Sequence, residues 1–127
     1  MEINIPKNVE NKIHENVSQS NTAKAYGSGL IDVYATPAMI ALMEKTANLS
    51  VQEFLPEGCV SVGIEINAKH VKASRIGEEI TCKSILEKQD GKKLYFKIIA
   101  FDTKDIIGEA THIRYVVDSM KFMEKLN

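Results

Sequence analysis

The sequence has no tryptophan, only two cysteines and three prolines, and no excess of either charge. Each shortage closes off a class of function. Cys59 and Cys82 lie far apart with no CxxC pairing. That spacing fits neither a zinc site nor a disulfide framework, so reduced thiols in a cytoplasmic protein and no metal are expected. A net charge of −1 sets up no field that would draw the chain to nucleic acid or an anionic membrane. No apolar run reaches the length that a membrane-spanning helix needs. The opening "MEINIPKNVENK" has an acidic second residue and no apolar centre, which argues against a secretory signal. Also missing are a glycine-rich phosphate loop, a GxSxG elbow and an HExxH pair.

What is present suits one domain spanning residues 1–127, near the commonest domain size. Hydrophobic residues make up 44%, enough for a core but not a generous one, since small domains bury less of their surface. Residues 1–35 are polar and irregular, with a strand expected around 11–19. The "YGSG" at 26–29 reads as a loop.

A helix is expected from Thr36 to about Leu55. Thr36 reads as the N-cap and Pro37 as the first helical residue, where the missing N–H costs nothing. "PEG" at 56–58 ends it. The first two turns, Ala38 to Met43, are apolar on every side, as in a helix that is surrounded.

Strands follow. In "VSVGIEINAKHV", residues 60–71, Val60, Val62, Ile64, Ile66 and Ala68 alternate with polar positions, so they are expected to share one buried face. "EEITCKSILEK" and "KKLYFKIIAFD" are joined by "QDG", whose Asp-Gly pair is a strong hairpin signal. "IIGEATHIRYVV" is the last strand, and the tail after it reads as a short helix. One helix followed by consecutive strands indicates α+β architecture. A single sheet of about five strands cannot close around such a helix, so a homodimer joining sheets or edges is expected, with a tetramer left open.

Glu44 is the odd residue of the apolar helix. Its same-face neighbours are Ile40, Ala41, Ala47 and Asn48. A carboxylate there needs a partner or a shifted pKa, and perturbed acids concentrate at functional sites. The plainer alternative is a glutamate reaching solvent where the helix turns polar. His70 falls in phase with the apolar face of its strand. Gly63, on the opposite parity, marks a bulge or a close approach, and its main chain could stabilise an oxyanion. His112 and Arg114 are in phase with each other, and a solvated strand face is the expectation for them. Lys69, Lys72 and Arg75 form a positive cluster able to hold phosphates.

Three blocks, "VYATPAMIALMEKTA", "VSVGIEINAKHVKASRIGEEI" and "IIGEATHIRYVV", resemble the fluoroacetyl-CoA thioesterase-like branch of the hotdog-fold thioesterases. The resemblance covers roughly residues 30–122, with the spacing between blocks intact. It implies a long central helix wrapped by an antiparallel sheet, a dimer, and hydrolysis of an acyl-CoA substrate without a cofactor. It further implies that Thr36, Glu44 and His70 form the catalytic set, with Gly63 near the thioester carbonyl. Arg114 is a further candidate for substrate binding. Glu44 would act as nucleophile or general base, His70 as acid/base, and Thr36 would orient Glu44 or the attacking group. Where that family's pocket carries aromatic side chains before the helix, this sequence has Gly27 and Leu30. An ordinary short or medium acyl-CoA is therefore expected rather than the fluorinated one. A non-catalytic acyl-CoA or small-ligand binding module is the alternative on the same fold.

Overall fold

The computed structural model describes residues 2–127. Five strands form one antiparallel sheet: β1 (Glu10–Asn16), β2 (Cys59–His70), β3 (Glu79–Asp90), β4 (Lys93–Phe101) and β5 (Ile106–Asp118). Their spatial order is β1-β3-β4-β5-β2, so β1 and β2 are the edges. A short helix α1 (Ala23–Tyr26) ends on Gly27, whose left-handed φ of 73° suits a residue without Cβ. The long helix α2 (Thr36–Val51) continues into a 3-10 turn, Gln52–Phe54, and α3 (Ser119–Glu124) follows β5.

α2 lies across the sheet and packs against all five strands. Its buried residues are Ala38, Met39, Leu42, Met43, Thr46, Ala47, Ser50 and Val51. They recur in pairs every four residues, which is one helical stripe. Ile80, Cys82, Leu94, Phe96, Ile98, Ala100 and Ile107 meet that stripe from the sheet. Burial pushes the Cys82 thiol up to about 11, so it remains a neutral core group.

Three expectations change here. The first turns of α2 are not enclosed all round, because Thr36, Pro37 and Ala41 are exposed and Ile40 is half-buried. One five-stranded sheet covers one side of a helix, and composition alone could not say which side. Thr36 is the first helical residue rather than the cap. Ala35 holds the N-cap position without a side-chain bond. The alternation of β2 is broken by a bulge between Gly63 and Glu65, where Gly63 pairs with Arg114 and Glu65 with the next residue, Ile113. Ile64 is the extra residue, and the inward parity changes at it. Ser61 is therefore buried ahead of the bulge and Ile66 faces inward after it, while Val60 and Ile64 are exposed.

Close approach rather than φ explains Gly108, which sits opposite His70 in the β2–β5 pair. A Cβ there would lie 2.8 Å from the Lys69 carbonyl oxygen and 2.5 Å from Met39 Sδ. The sulfur can swing aside, but the carbonyl belongs to a paired strand. Gly108→Ala should lower stability by about 1–3 kcal/mol, the range for overpacking a filled interior, as read from denaturant unfolding. An unchanged midpoint would mean that the strands part without cost.

Candidate active site

The open face of α2 runs along β2, and the predicted residues fall into two groups on it. The first is at the start of the helix. Thr36 Oγ1 lies 2.8 Å from His70 Nδ1 at the end of β2, so the hydroxyl that could have capped the helix serves the imidazole instead. The buried Tyr34 ring meets His70 edge-on at 6.3 Å between centroids. Its hydroxyl donates to Glu15 on β1 at 2.6 Å, which anchors the ring. His70 Nε2 is buried without a partner among the described residues. Burial lowers the His70 pKa from the usual histidine value, so the ring is neutral at neutral pH and able to take or give a proton.

An open cleft of about 310 Å³ borders this group, lined by Thr36, His70, Tyr34, Val33, Lys72 and Ala73 among others. A second cleft, about 770 Å³, shares Val33, Lys72 and Ala73 with it and extends to Arg75. Lys69 and Arg75 are exposed and make no ion pair among the described residues. Lys72 is used within the chain. Its ammonium lies 2.6 Å from Asp102 and 2.8 Å from Asp105, and the bond to Lys72 lowers the Asp102 carboxyl to about 2.

The second group is centred on Glu44. A Cβ on Gly63 would lie 2.9 Å from Glu44 Oε2, 3.1 Å from His112 Cε1 and 3.4 Å from Arg114 Nη1. Gly63 thus faces the helix, not away from it, because the strand reaches it before the bulge. A Cβ there would push the Glu44 carboxylate aside and crowd the His112 ring, so glycine keeps the approach open. Glu44 is half-buried and accepts no hydrogen bond among the described residues.

His112 and Arg114 are 1% and 7% exposed, which overturns the solvated face expected for them. Arg114 Nε donates to Ser61 Oγ at 2.7 Å and Nη2 to the Ser61 carbonyl at 2.9 Å. A longer Nη2 contact of 3.4 Å reaches Asn48 Oδ1. Nη1 lies 3.1 Å from His112 Nε2. Guanidinium nitrogens only donate, so Nε2 is the acceptor. His112 Nδ1 lies 2.7 Å from the Glu65 carbonyl, which only accepts. His112 is therefore neutral with its proton on Nδ1, and its lowered pKa, caused first by burial, agrees. Burial also lowers the Arg114 pKa, while the Glu44 charge opposes that. Four of the five Arg114 N–H groups are engaged, leaving one on Nη1 beside Gly63. The buried roles of His112 and Arg114 had one available signal, their shared parity with Ala110 and Val116 on β5.

The two groups are separate within one chain. Thr36 and Glu44 are eight residues apart on α2, or about 12 Å along the axis. Thr36 makes its hydrogen bond to His70 and none to Glu44.

A long helix laid across a five-stranded antiparallel sheet is the hotdog arrangement. A sequence model described as fluoroacetyl-CoA-specific thioesterase (FlK) matches residues 17–120. The fluoroacetyl-CoA thioesterase of Streptantibioticus cattleyicolor is 33% identical over 95 residues, covering 75% of this chain and 68% of the relative. The solved structure of fluoroacetyl-CoA thioesterase FlK superposes with a TM-score of 0.91 at 26% identity, over 97% of this chain and 96% of that one. FlK variants have been solved with fluoroacetate and CoA and with acetyl-CoA. TTHA0967 of Thermus thermophilus, a thioesterase superfamily member, shares the fold with a TM-score of 0.89 at 24% identity, over 97% of this chain and 91% of that one. The chain belongs to the FlK thioesterase family. Its enzyme class is hydrolase, acting on CoA thioesters.

Proposed function

We propose that this protein hydrolyses a short or medium acyl-CoA in a site completed by a second copy of the chain. The observation that carries the reading is the Glu44 carboxylate, free of hydrogen bonds among the described residues and set against Gly63 and the buried Arg114. A thioester carbonyl needs an oxygen nucleophile, a stabiliser for its oxyanion and a proton for the departing thiolate. Glu44 supplies the first, by attacking the carbonyl carbon or by deprotonating a water that does. The Gly63 main chain and the free Arg114 N–H receive the oxyanion. CoA departs as its thiolate, and His70, oriented by Thr36, first accepts the proton released by the attacking water and then delivers it to the CoA sulfur.

That assignment asks His70 and Glu44 to meet at one carbonyl, and the distance along α2 keeps them apart within a chain. Dimerisation resolves this. β2 is a twelve-residue edge strand without proline, and it exposes Val60 and Ile64. Long bare edges invite pairing. Antiparallel pairing of two β2 strands about a two-fold axis at Asn67, with Ile64 left out of the register as the bulged residue, sets Gly63 opposite His70 of the partner subunit. Each site then takes Glu44, Gly63 and Arg114 from one chain and the partner's His70 from the other.

The connected clefts from His70 to Arg75 give the CoA tail a path. Arg75 lines the larger cleft with a free charge for its phosphates, whereas Lys72 braces the loop through two aspartates and Lys69 borders a separate surface pocket with Asn67, Lys97 and Glu109. Leu30 is 91% exposed and Gly27 has no side chain, so neither of these positions closes an aromatic group over the acyl end. The test is thiol release from acetyl-, fluoroacetyl-, butyryl- and hexanoyl-CoA. Hydrolysis of the ordinary substrates at rates comparable to fluoroacetyl-CoA is expected. A preference for fluoroacetyl-CoA by orders of magnitude would overturn the substrate reading. Tight binding without turnover would favour a binding module.

A further inference from the structure

β5 reaches across to β2 with two buried side chains, one on each side of Gly63. Arg114 holds the Ser61 carbonyl at 2.9 Å, and His112 holds the Glu65 carbonyl at 2.7 Å. The two side chains are themselves joined at 3.1 Å. A continuous run of hydrogen bonds therefore spans the bulge, from Ser61 through Arg114 and His112 to Glu65. The bulge disrupts the regular ladder at this point, and side chains hold its carbonyls on either side.

We propose that His112 is a positioning residue for thioester hydrolysis: it fastens the β2 bulge and aims the Arg114 guanidinium so that Gly63 and Arg114 meet the carbonyl oxygen together. This rests on the reading of Gly63 and Arg114 as oxyanion groups. Its imidazole suits the task because a neutral ring offers one donor and one acceptor on a rigid frame. The donor takes the main chain of β2, and the acceptor takes the cation. The Phe96 ring of β4, tilted 33° with its centroid at 6.1 Å, backs the imidazole. Glu44 on α2 and Arg114 on β5 are the charged groups acting on it. With His112 held from these sides, Arg114 has one N–H left to direct at the site.

The test compares His112→Phe and His112→Gln with the parent enzyme. Phenylalanine keeps a flat ring but makes neither hydrogen bond. Its kcat should fall about 10- to 100-fold while KM stays within about threefold, as expected when a binding group is misplaced by a fraction of an ångström. Glutamine carries one N–H donor and one carbonyl acceptor, and should recover part of the loss. A His112→Phe enzyme that unfolds cooperatively and keeps kcat within about twofold would overturn the proposal. Nitrogen chemical shifts of His112 in the parent enzyme supply a measurement independent of folding in the variants. The Nδ1–H neutral form is expected at pH 7, and an Nε2–H or doubly protonated ring would overturn it. Glu44→Gln is run in parallel. If it is inactive while His112→Phe is normal, only the positioning role fails. If it keeps full rate, the underlying reading of the site fails first.

Discussion

Replacing Glu44 with glutamine should lower kcat by about 10³-fold and leave the fold intact. A positioned acid or base contributes about 10² to 10⁴ in rate, and Glu44 is the carboxylate set against Gly63. Glutamine keeps the shape and removes the negative charge and the lone pairs that attack carbon or accept a proton from water. Little is lost in the ground state, because Glu44 accepts no hydrogen bond among the described residues. Arg114 keeps its bonds to Ser61 and His112. Stability should therefore change by less than about 1 kcal/mol. The check pairs a thiol-release assay with a denaturation curve. A folded Glu44→Gln protein within about threefold of the parent kcat would remove Glu44 from the chemistry. Single turnover in ¹⁸O-labelled water then reports direct attack whenever the mixed anhydride is hydrolysed at the Glu44 carbonyl, since the first product acid then carries an oxygen of Glu44 and no label.

Mixing two inactive variants should restore activity. In a composite site, Glu44→Gln and His70→Ala homodimers each carry the same defect in both sites. A mixed dimer has one site with both defects and one with none. Random reassociation makes half the dimers mixed, so about a quarter of the parent activity should return. If each site belonged to one chain, every site in the mixture would hold one defect and nothing would return. The geometry favours recovery: about 12 Å of helix separates Thr36 from Glu44, and Thr36 is bonded to His70. The experiment requires exchange of subunits, which can be ensured by refolding the variants together. Absence of recovery in confirmed mixed dimers would place the site within one chain and end the β2-pairing reading.

The secondary structure was legible wherever local chemistry acts alone. Asp90-Gly91 produced the β3–β4 turn, with Gly91 at a positive φ of 61°. Pro37 and Pro56 bracket the helix and its 3-10 extension. Glu44 was legible as an anomaly, because a carboxylate on an apolar stretch has few inexpensive explanations. His70 faces inward as its parity predicted, although Val60 and Ile64 on the same strand do not. It lies beyond the bulge, where the inward parity agrees with the one predicted. A one-residue bulge has no strong signature in an alternating strand, and Gly63 hinted at one without giving its register. His112 and Arg114 were misjudged for a related reason. Polar side chains on a strand imply solvent until the partners that satisfy them are known, and those partners, Ser61 and Glu65, lie some fifty residues earlier.

The sequence by itself determined the order of elements, the α+β class, the turn positions and the residue types able to act on a thioester. Periodicity and turn chemistry are read over a few residues, so they survive in a linear string. Tertiary structure decided which face of α2 stays open, that Thr36 serves His70 instead of capping the helix, and that Gly63 faces Glu44. It also decided that Arg114 spends four N–H groups inside the chain and keeps one. Each of these depends on register between strands distant in sequence. A shift of one residue in a strand exchanges its two faces, and no local pattern records where that shift occurs.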